Sequence, residues 1–293
     1  MQKIKIHPEG PALSRLVVGV WRWHTVSTQH VEVLIKTSLE SGITSFDHAD
    51  IYGNYSCEEV FGNALRGSSS LRNEMEIVTK CGIKLLSDKR PNHTIKHYDT
   101  SKDHIMWSVE NSLKMLATDR IDLLLLHRPD PLLTPAEVAE AFTILKRQGK
   151  VLHFGVSNFT TTQLEMLQSY LPFPIVTNQI ELSLFKNLSL FDGTVDTLMK
   201  QRIRAMAWSP LGGGKHFEDE RIKSALQNLA ELYQSTPTQL LLAWLLKHPS
   251  IIFPILGTTK SERIEDGAKS LNVALDRQHW FEMLKWVEER DVA

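Results

Sequence analysis

Asp122-Leu123-Leu124-Leu125-Leu126-His127 sets four consecutive leucines between a carboxylate and an imidazole. An apolar run without polar alternation suits a strand buried on both faces, as in a parallel sheet covered by helices. Seven further short runs share that character, at residues 16–20, 44–47, 76–80, 151–157, 175–180, 204–209 and 251–257. Helical periods separate them. Residues 104–116 put Ile105, Met106, Val109, Leu113 and Leu116 on one face. Thr134-Pro135-Ala136-Glu137 and Thr236-Pro237-Thr238-Gln239 both read as helix starts, with Pro at the first helical position and a capping-box acid or amide. Residues 276–289 predict a terminal helix, and residues 3–16 a hairpin turning at Pro8 to Pro11. Eight strand–helix alternations with no Ser/Gly linker predict an α/β fold: one (β/α)8 TIM barrel domain over residues 1–293, with an N-terminal β-hairpin cap and a C-terminal helix. A doubly wound open sheet is the rival, but no G-x-G-x-x-G follows the first strand.

Of the 293 residues 42% are hydrophobic, enough for a large core, and 33 basic against 34 acidic side chains leave a net charge of −1. Such a balance supplies no field for nucleic acid or an anionic membrane. Two cysteines, Cys57 and Cys81, build no disulfide framework and point to a reducing compartment. The first residues lack the apolar core of a signal peptide, and no run approaches a membrane span. The expected location is the cytoplasm. Oligomeric state is not legible.

Three strand ends carry the chemistry. Phe46-Asp47-His48-Ala49-Asp50-Ile51-Tyr52-Gly53 follows the second strand, Val78-Thr79-Lys80-Cys81 ends the third, and Leu125-Leu126-His127-Arg128-Pro129 ends the fourth. In a barrel these ends share one mouth. Asp47, Tyr52, Lys80 and His127 would then form a proton-donating site: Tyr52 the general acid toward a carbonyl oxygen, Lys80 lowering its pKa, Asp47 orienting Lys80, His127 hydrogen-bonding the same oxygen. Any one of the four alone reads equally as a satisfied polar group at a strand end; their joint placement is the signal.

With Gly155-Val156-Ser157-Asn158-Phe159, Asn178-Gln179-Ile180-Glu181 and Ala207-Trp208-Ser209-Pro210-Leu211 added, the chain resembles an aldo-keto reductase over essentially its whole length, most like the small bacterial reductases of the YdhF type. The resemblance implies an NAD(P)H-dependent carbonyl reductase with Asp47, Tyr52, Lys80 and His127 as its catalytic tetrad. It further implies that Ser157, Asn158 and Gln179 hold the nicotinamide carboxamide, that Trp208 stacks on the ring, and that Ser209, Pro210, Leu211 and Gly212 form the pyrophosphate loop. Gly257, Thr258, Lys260 and Arg263 would meet the 2′-phosphate at a helix N-terminus, and Asp266 the adenine amine. Two departures stand out: Gly257 where many members have Lys, and Gly267 where many have Asn. With Lys260 in place of the missing cation, NADPH is expected over NADH.

Alternative readings are a non-catalytic NADPH-binding regulatory subunit, like the related potassium-channel β subunits, and a metal-dependent barrel hydrolase drawing on His48, Asp50, His127, Asp130 and His153. No H-x-H or H-E-x-x-H spacing supports the latter, and no metal is expected. Trp21 and Arg22, with Trp23, follow the first strand and are candidates for the substrate mouth. Cys81 reads as inert packing beside Lys80. Substrate identity is written in loops 85–101 and 185–194 and in the C-terminal tail.

Overall fold

The computed structural model describes residues 3–66, 69–217 and 219–291. The chain enters through an antiparallel hairpin, β1 (Lys3–Lys5) with β2 (Ala12–Ser14). Eight parallel strands follow and close into a barrel: β3 (Val17–Gly19), β4 (Ser45–Asp47), β5 (Glu76–Cys81), then β8 (Ile121–Leu126), β9 (Val151–Ser157), β10 (Ile175–Glu181), β11 (Met206–Trp208) and β12 (Phe253–Leu256), which returns to β3 through Ile255 opposite Val17. A small second hairpin, β6 (Ile83–Lys84) with β7 (His97–Tyr98), rises from the end of β5. Loop 85–101 is thereby pinned at both ends.

Helices lie between successive barrel strands: α1 (Thr28–Glu40); α2 (Tyr52–Tyr55), α3 (Cys57–Leu65) and α4 (Ser69–Glu74); α5 (Lys102–Met115); α6 (Pro135–Arg147); α7 (Thr161–Gln168); α8 (Thr194–Lys200); α9 (Glu220–Leu232) and α10 (Pro237–Leu246). After β12 come α11 (Ser261–Ala268) and α12 (Arg277–Glu288). The leucine run of β8 explains the architecture. Leu123 and Leu125 point into the barrel with Val17, Val78, Met206 and Phe253, whereas Leu124 and Leu126 join Val109, Phe142 and Phe154 in the layer beneath the helices. Alternate residues of a strand face opposite ways, so a strand buried on both sides can be apolar at every position, as β8 is from Leu123 to Leu126. The first hairpin closes the barrel floor: Ile6 and Leu13 are fully buried in its interior, and the Arg204 amide donates to the Ile6 carbonyl at 3.1 Å.

One expected cap is not formed. Thr236 and Gln239 make the reciprocal capping box that opens α10. Thr134 stands at the N-cap of α6 with Pro135 after it, yet its side chain caps nothing. Its intended partner, Glu137, instead accepts from the Lys102 amide at the start of α5 (3.3 Å).

Helices α3 and α5 touch at Gly62. A β-carbon there would stand 1.9 Å from the Met115 carbonyl oxygen and 2.9 Å from the Leu116 carbonyl carbon. Because the obstacle is backbone, Gly62→Ala must push the helices apart, and overpacking of this kind costs about 1–3 kcal/mol or more. A urea melt of the variant should show that loss; an unchanged midpoint would mean that the two helices separate freely.

Candidate active site

Asp47 ends β4, Lys80 lies one residue before the end of β5, and His127 directly follows β8. The parallel register carries all three to one rim. Tyr52 joins them through a turn that continues the sheet's pairing, in which the His48 amide donates to the Val78 carbonyl (2.8 Å) and the Asp50 amide to the Lys80 carbonyl (3.1 Å). Gly53, Asn54 and Tyr55 then all have positive φ, at 59°, 55° and 62°. At Gly53 a β-carbon would also come within 2.6 Å of His24, so the tight turn that presents Tyr52 requires glycine there.

The fully buried Lys80 ammonium donates to Asp47 Oδ2 (2.7 Å), to the His48 carbonyl (2.8 Å) and to Tyr52 Oη (3.0 Å). Three acceptors satisfy its three protons. Burial pulls its pKa down, but the Asp47 carboxylate and Tyr52 outweigh that, and the net direction is up: Lys80 is held as a cation. By donating to Tyr52 Oη, Lys80 occupies a lone pair there and leaves the phenol's own hydrogen for another partner. The His127 ring meets Tyr52 edge-on, centroids 5.8 Å apart. Burial, then Lys80 and Arg128, hold His127 well below the usual imidazole range, so it is neutral.

For Tyr52 the net direction differs from the sequence expectation. Lys80 does pull its pKa down, but burial is the larger effect and Asp47 adds to it, so the phenol titrates above its ordinary value. It therefore stays protonated across the neutral range, in the form that can donate.

The other candidates assemble around the same rim. Gln179 Nε2 donates to Asp47 Oδ1 (2.8 Å), which ties β10 to the tetrad across the barrel. Asn158, held at φ 57°, donates through Nδ2 to Ser157 Oγ (2.7 Å) and accepts from Trp208 Nε1 at 3.0 Å. Ser157 Oγ in turn donates to the Gln179 carbonyl (3.0 Å). Ser209, Pro210, Leu211 and Gly212 form a turn after β11, closed by the Gly212 amide on the Ser209 carbonyl (2.9 Å). Lys260 is the N-cap residue of α11, and its amide donates to Thr258 Oγ1 (3.1 Å). The Lys260 and Arg263 side chains are exposed and carry no ion pair among the described residues. Asp266 faces inward instead: its oxygens accept from Thr236 Oγ1 (3.0 Å) and Gln239 Nε2 (2.6 Å), reinforcing the cap of α10.

Trp21 is 46% exposed with the Arg22 guanidinium 4.3 Å over its ring. Trp23 is no part of the mouth: it is fully buried, meets Phe46 edge-on and Phe61 at a tilt, and donates to the Thr258 carbonyl (2.9 Å). A β-carbon on Gly257 would stand 2.8 Å from Trp21 Nε1, so a larger residue there would have to displace the exposed Trp21 ring. Sequence reasoning passed over Arg128. Its guanidinium sits 5.4 Å from the Trp208 ring centre and has no hydrogen bond or ion pair among the described residues. Its place directly after His127 was the available signal.

The sequence profile of the Aldo/keto reductase family matches residues 15–287. The chain belongs to that family. Three relatives align along almost all of their own and this chain's length: the uncharacterized oxidoreductase YcsN of Bacillus subtilis (48% identical, 100% of each chain), the oxidoreductase YdhF of Escherichia coli (47%, 97% of each) and a 6-dehydroglucose reductase of Agrobacterium fabrum (43%, 96% of each). An aldo/keto reductase from Klebsiella pneumoniae, solved in complex with NADP and acetate, superposes with a TM-score of 0.82 at 25% identity, covering 100% of this chain and 98% of that one. This chain is thus an oxidoreductase of the aldo/keto reductase type on a TIM barrel. Among the described residues no helix is long and apolar enough to cross a membrane, and no group of three or more His, Cys, Asp or Glu side chains is placed to hold a metal ion. Cys81 is fully buried, its thiol pushed well up by burial.

Behind the tetrad lie two more buried acids. Glu58 accepts from Thr79 Oγ1 (2.6 Å) and Ser112 Oγ (3.0 Å), and burial raises its pKa to about 7. Asp50 accepts from Ser108 Oγ (2.9 Å) and is raised to about 8 by burial and by Glu58. A raised acid keeps in the fold a proton that the unfolded chain has already released. Its stabilisation is therefore full below the unfolded pKa and is lost as pH rises through the folded one. These two acids contribute a fall in stability between about pH 5 and about pH 8, opposed by the rise from the buried histidines held neutral in the fold, and Glu58→Gln, which can keep both hydrogen bonds, should remove the Glu58 share of that fall. Urea melts across this range check it; an identical slope in the variant would mean that Glu58 is ionised in the fold.

Proposed function

We propose that this aldo/keto reductase is an NADPH-dependent carbonyl reductase in which Tyr52 is the general acid, acting as one domain over residues 1–293. The observation that carries the reading is the Lys80 ammonium, pinned between Asp47 and Tyr52 Oη. The phenol's proton is left for a substrate oxygen, and neutral His127 stands edge-on to the ring as a second donor to that oxygen.

The mouth suits a dinucleotide in its donors. Ser157 and Asn158 offer amide and hydroxyl partners matched to a carboxamide, Trp208 offers a partly buried ring, and Lys260 and Arg263 stand uncommitted at the start of α11. When bound, the reduced nicotinamide supplies the hydride that the carbonyl carbon receives. The chain's own part is to bind and orient, and to pass the Tyr52 proton to the carbonyl oxygen as it gains negative charge. Lys80 stabilises the phenolate that remains, and Asp47 keeps Lys80 in place. The NADP complex of the Klebsiella relative supports the choice of cofactor, and the Agrobacterium relative supports a hydroxylated aldehyde as the class of carbonyl.

The test is a fluorescence titration of the protein with NADPH and separately with NADH, followed by cofactor consumption over a panel of aldehydes. NADPH should bind the more tightly. Lys260→Ala and Arg263→Ala should each weaken NADPH about tenfold, about 1.4 kcal/mol, while leaving NADH unchanged. Equal binding of both nucleotides would overturn the phosphate assignment; binding of neither would overturn the reductase reading.

A further inference from the structure

Buried polar atoms in folded proteins almost always have a hydrogen-bond partner, and each exception needs a cause. Eight buried side-chain atoms lack one among the described residues, and three of them, Asp50 Oδ1, Arg90 Nε and His104 Nε2, belong to residues that line a single cavity of about 350 Å³. That cavity lies between the β6–β7 hairpin and the first turns of α5, and none of the tetrad residues lines it. Its size falls in the range of small-molecule sites, roughly 300–1,000 Å³.

The walls are firmly held. Asp50 is 7% exposed and His104 9%. The Arg90 guanidinium lies over the rings of both Tyr55 (4.6 Å) and Trp107 (5.1 Å), and the His104 ring stacks on Trp107 (5.9 Å). Lys84 and Asp99 neutralise one another in an ion pair. The pocket is therefore pre-formed and close to electrically neutral.

We propose that this cavity is a second binding site, separate from the catalytic mouth, for a small neutral polyhydroxy compound. The donor pattern selects that class. Arg90 Nε only donates, whereas Asp50 Oδ1, on a carboxyl that holds its proton near neutrality, and His104 Nε2 each donate or accept according to where the proton sits. A free anion would face Asp99 and the exposed Asp103; a free cation would face Arg90 and Lys84. Hydroxyl groups both donate and accept, so a ring or chain of them satisfies all three atoms at once. The aromatic edges of Tyr55 and Trp107 provide the apolar wall that the C–H faces of such a molecule need.

Myo-inositol is a suitable probe because it has no carbonyl and cannot be turned over at the mouth. Saturation-transfer NMR on the whole protein should show saturable myo-inositol binding that is unaltered by saturating NADPH. His104→Phe keeps the ring that stacks on Trp107 and removes both nitrogens; Arg90→Met keeps the length of the side chain and removes the donor. Each should weaken binding about tenfold, with thermal midpoint and carbonyl-reducing turnover unchanged. Binding that survives both substitutions, or is displaced by NADPH, would overturn the site. Absence of myo-inositol binding, or preferential binding of sulfate or glycine, would overturn the ligand class. None of these outcomes depends on the reductase reading, which the nucleotide titration tests by itself.

Discussion

Tyr52→Phe should lower turnover about 10²- to 10⁴-fold, the usual contribution of a positioned general acid, while NADPH affinity stays within about twofold of the parent. The substitution removes one oxygen. Lys80 loses one of its three acceptors but keeps Asp47 Oδ2 and the His48 carbonyl, and the ring still packs edge-on to His127. The residues assigned to the nucleotide, from Ser157 to Arg263, do not touch Tyr52 Oη. A large fall in kcat with an unchanged nucleotide titration is therefore the signature of a lost acid. Retention of most activity would move the proton to His127 or to solvent and end the role assigned to Tyr52.

Lys80→Met should cost both activity and fold. Its ammonium is fully buried and is the cation within hydrogen-bonding distance of Asp47. Removing one partner of a buried ion pair leaves the other charge uncompensated and typically costs about 3–5 kcal/mol. Asp47 would keep Gln179 Nε2 alone, which donates without charge. The loss of stability should be largely restored in the double variant Asp47→Asn, Lys80→Met, because the stranded carboxylate is then gone; activity should not return. Comparing the urea midpoints of both single variants, the double variant and the parent measures the coupling. Additive losses would show that the two side chains stabilise the fold independently.

How far this protein can be read from its residues depends on whether a feature is local. The barrel is legible in Leu123 to Leu126 because burial on two faces leaves no polar position in a strand, and that requirement acts on each residue separately. The tetrad is legible because every parallel strand delivers its last residue to one rim. The pairing of Asp47 with Gln179 joins residues on β4 and β10, and no spacing rule connects them. Thr134 carried all the local marks of a capping box, and the neighbouring helix took its partner. The proton affinity of Tyr52 was misjudged for a related reason: the nearby Lys80 is visible in the sequence, whereas depth of burial, the larger effect, belongs to the whole fold. Trp23 and the cavity under loop 85–101 were out of reach on the same account.

The closure of the wall between β3 and β12 has a consequence in time. Val17 and Val18 pair with Ile255 and Leu256, which are synthesised long after them. Throughout synthesis the first barrel strand has an open edge, and Ile6 and Leu13 wait for an interior that is not yet built. Unpaired edges and exposed apolar side chains are what make nascent chains associate. Until residue 256 has been made, the first barrel strand therefore stays unpaired on the side that β12 will cover.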